Sequence, residues 1–252
     1  MRIRKALVLP DMQCPYEDKA TMKAVEKYMA DDTFDYYINL GDFMDFDCIS
    51  HHNIGKLRNV EGKRILKDYE YANKILDRHQ SIIRKNNPKA EFVLLNGNHE
   101  NRIDRMLEAQ PVLSGMIEVD KGLRLKERGF KWVKCYPDGE VYKLGKASFH
   151  HGLYVSDGHA KKMVNAFNCN IFYGHLHDVQ GYSKVTYGSN KTIVGQSLGC
   201  LCEYEQCYIK GNPTKWQQAI TVFEFQENGT FTYNIIRIFN HSFSVNGKFY
   251  QP

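Results

Sequence analysis

The strongest constraint in this sequence is the way its short apolar runs end. Residues 92–95 run into Asn96-Gly97-Asn98-His99-Glu100, and residues 34–40 run into Gly41-Asp42, with Asp45 close behind. Residues 7–9 lead through Pro10 to Asp11 and Gln13. Residues 148–149 lead to His150-His151-Gly152, and residues 171–173 to Gly174-His175-Leu176-His177. Apolar runs of this length, stopped by Gly, Pro or Asn, read as buried strands ending in tight turns. Gly97 predicts a backbone conformation closed to other residues. Open α/β sheets keep their ligand crevices at the carboxyl ends of their strands. The pattern therefore predicts one sheet edge crowded with Asp, Asn, Gln and His. Any one of these turns alone is a polar loop; the whole series is a set of oxygen and nitrogen donors for a metal.

Between these ends the periodicity predicts helices over residues 18–30, 61–87, 101–109 and 158–167. In residues 61–87 the apolar side repeats through Ile65, Tyr69, Ala72, Leu76 and Ile83. His79 lies on that side and reads as a buried structural histidine. Pro88 stops the helix. Residues 48–63 are expected as a long loop, and the adjacent His51 and His52 read as solvated groups near the pocket rather than as ligands. Glycines at 115, 122 and 129 break residues 110–129 into short helices or a lid. Residues 131–135, 141–144 and 147–150 are expected as strands of a second sheet, with Pro137-Asp138-Gly139 as the turn between the first two. Past His177 come hairpins around Gly188-Ser189-Asn190 and Asn228-Gly229, then a last turn at Asn246-Gly247. No linker or repeat interrupts residues 1–252, so a single domain is expected.

Composition narrows the function. A hydrophobic share of 42% and a charged share of 25% are ordinary for a globular chain with one sizeable core. The net charge of +5 admits an anionic substrate without requiring a nucleic-acid partner. No stretch approaches the ~20 apolar residues of a membrane span. The basic N-terminus is followed by an apolar run shorter than the ~7–15 residues of a signal core. Seven cysteines, an odd number, fit reduced thiols and a cytoplasmic location. Cys200, Cys202 and Cys207 lie close together but lack an evident fourth partner, so they read as a loop beside the site rather than a zinc centre, with Tyr204, Tyr208 and Trp216 offering flat contacts.

The order D-x-[H/Q], G-D-x-x-D, G-N-H-E, H-G, G-H-x-H, running from Asp11 to His177, resembles the calcineurin-like metallophosphoesterases, and their bacteriophage-type members most of all. The resemblance implies an α/β fold, a four-layer αββα sandwich of two mixed β-sheets flanked by helices. It implies two divalent metal ions, with manganese first and magnesium, iron or zinc as the alternatives. Asp42 is then the carboxylate shared by both. Asp11, Gln13 and His177 complete one site, and Asn98, His151 and His175 the other. Metal-bound hydroxide is expected to attack phosphorus in line. His99 would protonate or stabilise the leaving oxygen with Asp45 holding its imidazole, and Arg102 could grip a phosphate oxygen. His150 and His151 compete for one role. Successive strand residues face opposite sides, and the family's ligand precedes Gly, which selects His151.

Gln13 departs from the family, which usually has His there. An amide oxygen is harder and weaker than imidazole, so the first site is expected to favour manganese or magnesium over zinc. The function expected is a phosphodiesterase acting on nucleotides or nucleic acid, in a host cytoplasm if the chain is of phage origin. A serine/threonine-type protein phosphatase is the alternative, although Phe46 stands where that branch has Arg-Gly. A non-catalytic scaffold is the third reading, opposed by the retention of His99 and Asp45.

Overall fold

A computed structural model describes residues 3–188, 191–205, 209 and 212–252. The first half alternates strands and helices: β1 (Arg4–Leu9), α1 (Lys19–Asp31), β2 (Tyr36–Asn39), α2 (Ile65–Asn86), β3 (Glu91–Leu95), α3 (Asn101–Ala109), α4 (Val119–Gly122), α5 (Leu125–Arg128) and β4 (Phe130–Val133). There follow β5 (Tyr142–Leu144), β6 (Ala147–His150), α6 (His159–Phe167), β7 (Ile171–Tyr173), β8 (Gly181–Thr186) and β9 (Lys191–Ser197). The chain ends with β10 (Ala219–Phe225), β11 (Phe231–Arg237), β12 (Phe243–Val245) and β13 (Lys248–Tyr250).

Two mixed sheets result. The larger has the order β11-β10-β1-β2-β3-β4, and the smaller β5-β6-β7-β9-β8. β1 to β4 run parallel, with β10 antiparallel on the outer edge of β1. Parallel strands are covered on both faces and need apolar residues at every position, which is why the runs after Lys5 and Glu91 are unbroken. Alternation then divides them. Ala6, Val8, Ile38, Val93 and Leu95 point toward the second sheet and pack with Phe149, Phe172 and Phe223. Leu7, Leu9, Tyr37, Phe92 and Leu94 point the other way, onto α1 and α2. α6 covers the outer face of the second sheet through Met163 and Val164, against Ile171 and Tyr173. The architecture is the expected four-layer αββα sandwich.

Local chemistry fixes the element ends. Asp18 caps α1, its carboxylate accepting from the Thr21 amide at 2.9 Å. Asn246 and Gly247 both have positive φ, and join β12 to β13 as the primed turn expected of Asn-Gly. His79 is buried on α2, its Nδ1 2.9 Å from the Tyr37 hydroxyl. Among the described residues, no helix is long and apolar enough to cross a membrane.

Two expectations need correction, and a third falls partly outside the described residues. β4 belongs to the first sheet, pairing parallel with β3 through Leu94 and Trp132. The chain between β3 and β4 is long enough for a crossover back to the same sheet, and Pro137-Asp138-Gly139 carries it from one sheet to the other. α2 begins at Ile65 rather than at residue 61, and the loop before it contains short 3₁₀ turns over residues 51–53 and 57–59. The turn expected at Ser189-Asn190 lies outside the described residues, though β8 and β9 pair antiparallel on either side of it.

Candidate metal centre

The strand ends meet at one edge. β1 delivers Asp11 and Gln13, β2 delivers Asp42 and Asp45, and β3 delivers Asn98 and His99. From the second sheet, β6 delivers His151, and β7 delivers His175 and His177. Backbone hydrogen bonds tie neighbouring ends together: Gln13 N–H to the Asp42 carbonyl at 2.7 Å, and Gly174 N–H to the His151 carbonyl at 2.9 Å. The Asp42 carboxylate accepts from the His99 amide at 2.9 Å, and Asp11 from the His175 amide at 2.9 Å.

Two glycines are required by space. A Cβ on Gly97 would lie 2.1 Å from an Asp42 carboxylate oxygen, and one on Gly174 2.0 Å from an Asp11 oxygen. Gly97 does not have positive φ, so the expected conformational reason is replaced by a steric one. Positive φ falls instead on the donors: Asp11, Gln13, Asp42, His175 and His177 all sit in the left-handed region. Such backbone costs on the order of 1–3 kcal/mol per residue, and clusters at functional sites where the surroundings enforce it.

The donor atoms form two groups that share one carboxylate. Asp42, His151 and His175 make one group, and Asp11, Asp42 and His177 the other, with the atoms of each within 4.8 Å of one another. Asn98 Oδ1 lies 2.9 Å from His151 Nε2 and 2.7 Å from His175 Nδ1. Gln13 Nε2 lies 3.4 Å from His177 Nε2, and a half-turn of the amide puts its oxygen there instead. Donors bound to one ion at about 2.1 Å in octahedral geometry are separated by about 3 Å, so these spacings fit metal ligation. His151 Nδ1 is 3.0 Å from the Leu40 carbonyl. Donation to that carbonyl leaves the Nε2 lone pair facing the centre. His150 points away, against the Phe167 ring, and accepts from the Gly152 amide at 2.8 Å.

Electrostatics show what the pocket attracts. Burial opposes ionisation of Asp42, yet the charges of His151 and His99 outweigh it and hold the carboxyl well below its usual range. Burial likewise opposes the His151 cation, but Asp42 prevails and raises the imidazole to about 9. His177 is also lifted to about 9, against burial, by Cys200 and Asp11. His175 is held at about 3 by burial and the charge on His151. Buried carboxylates here draw positive charge inward, which is the electrostatic character of a cation site.

His99 lies at the cleft side of the centre. Its Nδ1 is 3.2 Å from Asp45 Oδ2, and Arg102 Nη2 is 3.0 Å from its Nε2. A guanidinium only donates, so Arg102 makes Nε2 an acceptor and places the ring proton on Nδ1, facing Asp45. The Arg102 fork also donates to the Asp45 carbonyl at 2.6 Å. Arg102 is therefore engaged with His99 and Asp45, not held free as a phosphate clamp. Beside these residues opens a cavity of about 880 Å³, lined by Tyr16, His52, Lys56 and Lys63 and also by Glu203 and Glu205.

One important residue escaped the sequence reading. Glu100 is buried at the start of α3, and its carboxylate accepts from the amides of Asp42 at 2.9 Å, Met44 at 2.8 Å and Gly97 at 2.7 Å. It clamps the β2 and β3 ends into register. Burial and the neighbouring Asp42 charge raise its acid to about 7, while the Met44 and Gly97 amides pull it down. The signal was present as the last letter of Gly97-Asn98-His99-Glu100. Cys200 and Cys202 are buried behind His177, and Trp216 packs on that ring at 4.2 Å between centroids. Cys207 and Tyr208 lie outside the described residues.

Comparison with known protein families finds no match. The Gene 54 protein of Mycobacterium phage L5 is 26% identical over 262 residues, spanning 98% of this chain and 99% of the relative. Among solved structures, vacuolar protein sorting 29 from Cryptosporidium parvum aligns with a TM-score of 0.49 and 13% identity, covering 100% of both chains. The nuclease MPE of Pseudomonas putida aligns with a TM-score of 0.38 and 13% identity, covering 98% of this chain and 87% of that one. These structural likenesses are too distant to carry a functional argument. The bacteriophage-type resemblance of the motifs has a counterpart along the full length of the chain.

Proposed function

We propose that this chain is a metal-dependent phosphoester hydrolase of the metallophosphoesterase type, acting on phosphodiesters of nucleotides or nucleic acid. The observation that carries the reading is the Asp42 carboxylate, common to two adjoining donor groups. Asp11, Gln13, Asp42 and His177 would hold one ion; Asp42, Asn98, His151 and His175 would hold the other. The first set is oxygen-rich, which suits manganese or magnesium. Bound divalent ions would supply charge neutralisation at phosphorus and a water acidic enough to act near neutral pH.

The chain's own residues do the rest. The Leu40 carbonyl and the Glu100 clamp fix the ligand orientations before any substrate arrives. Asp45 faces His99 at the cleft, where Nε2, once it gives up its Arg102 partner and takes a proton from solvent, would donate that proton to the leaving oxygen. Arg102, which lines the same cavity, would then be free to donate to the ester's oxygens.

The cleft supports a diester. At about 880 Å³ it has room for a substrate much larger than phosphate. Its cations are already partnered: Lys63 with Asp47 and Tyr16, Arg102 with Asp45, and Lys56 with the His52 carbonyl. Glu203 and Glu205 line the same cavity. A singly charged diester suits such a balanced wall better than a dianionic monoester. The bacteriophage relative supports a site of action in a host cytoplasm.

The test is a substrate panel on manganese-loaded protein: aryl mono- and diesters, nucleotides, single- and double-stranded DNA, and phosphopeptides. Diesters are expected to turn over at least as fast as monoesters. Preference for phosphoserine peptides over every diester would move the assignment to a protein phosphatase, and no turnover at full metal occupancy would move it to a scaffold.

A further inference from the structure

The His177 ring has two different environments. On the Nε2 side lie Asp11 Oδ1 at 3.3 Å and Gln13 at 3.4 Å. On the Nδ1 side lies the Cys202 sulfur at 3.7 Å. A nitrogen of His177 and the sulfurs of Cys200 and Cys202 all lie within 4.8 Å of one another, and all three residues are buried. The placement is built by the backbone. Cys200 bridges in parallel to Gln218 and Cys202 antiparallel to Glu17, so this stretch is extended. Alternate residues of an extended chain face the same side, which turns both sulfurs toward His177. The intervening Leu201 lies in the core under α1 and α2.

We propose that Cys200, Cys202 and Nδ1 of His177 form a site for a thiophilic divalent cation of the zinc class, distinct from the oxygen-rich pair. The cluster supplies three donors, so the fourth position of a tetrahedral ion would fall to a water or other small ligand; with Zn–S of about 2.3 Å and Zn–N of about 2.0 Å, the S···N edge of such a site is about 3.5 Å. The 3.7 Å separation is close to that edge. On binding, the extra proton of His177 and any thiol proton would pass to solvent, and two thiolates with a neutral imidazole then cancel the charge of a dication. A neutral cluster is what so buried a place demands. The proposal goes beyond phosphoester cleavage, because it assigns a second class of metal to this edge.

It also has a regulatory consequence. A neutral imidazole has one lone pair. When Nδ1 coordinates, Nε2 carries the proton and donates to Asp11, so His177 no longer serves the oxygen-rich site. Filling the sulfur site therefore weakens manganese binding on the other side of the ring.

The experiment is anaerobic titration of the chelator-treated full chain with cobalt(II), read by absorption. A near-ultraviolet thiolate-to-cobalt charge-transfer band is expected, with visible bands of tetrahedral intensity, both abolished by one equivalent of zinc. The band should be lost in Cys200→Ser and Cys202→Ser and kept in Cys207→Ser and Asn98→Ala. Zinc binding should release protons from the chain at neutral pH. The wild-type spectrum decides alone if the serine variants do not fold. A wild-type titration without the charge-transfer band would overturn the site, leaving Cys202 as a hydrogen-bond partner of His177. A band that persists in both serine variants would overturn it equally. Neither readout depends on turnover, so its failure is separable from failure of the phosphodiesterase reading.

Discussion

His99 sits between Asp45, 3.2 Å from its Nδ1, and Arg102, which donates to its Nε2. Removing it should cost rate while sparing the metal donors. His99→Ala is expected to lower turnover by about 10²–10⁴-fold with metal content unchanged. The deficit should shrink for esters with good leaving groups, which need little protonation. A uniform deficit across leaving groups would exclude the acid role. Residue identities at the edge were legible because each strand stops at a recognisable turn. What was hidden is contact that no spacing encodes. The sequence shows Gly97 as a turn residue, but its reason is the Asp42 oxygen lying where a Cβ would be. Arg102 is visible as a cation near the site, but its engagement with His99 depends on a side-chain rotamer.

At the scale of elements, α2 and the loop before it form the outer wall of the cleft. Asp68, in the first turn of α2, is nearly buried. Burial, then the charges of Asp47 and Asp45, raise its acid to about 6. The folded chain therefore holds this proton more tightly than the unfolded chain, where an Asp titrates near 4. That contribution to stability is present below about pH 4 and is lost as pH rises to about 6 and beyond. Asp68→Asn is expected to raise the thermal midpoint relative to wild type at pH 7, with the difference vanishing at pH 4. An equal difference at both values would contradict this. Helices were legible where an apolar stripe met a cap, as at Asp18 and Asn87. β4 was misplaced because a strand's residues do not say which sheet they join. The 3₁₀ turns over residues 51–53 and 57–59 have no apolar stripe to announce them.

Across the whole molecule, the two sheets share an interior of Phe149, Phe172 and Phe223 packed on β1 to β3. That shared core holds the ends of both sheets in one register, so donors as distant in sequence as Asp11 and His177 come to 3.3 Å. The sandwich was legible because the apolar runs and the motifs agree. The cleft was not, since its walls come from loops whose course depends on tertiary contacts. The central claim is that Asp42 joins two metal positions into one phosphoesterase centre. The most direct measurement is a manganese titration of chelator-stripped wild type and Asp42→Asn, following bound metal and aryl phosphodiester hydrolysis together. The wild type should bind two ions and gain turnover as they bind, whereas Asp42→Asn should lose tight binding of both and most of the turnover. Turnover in metal-free wild type, or two tightly bound ions and full turnover in Asp42→Asn, would contradict the account.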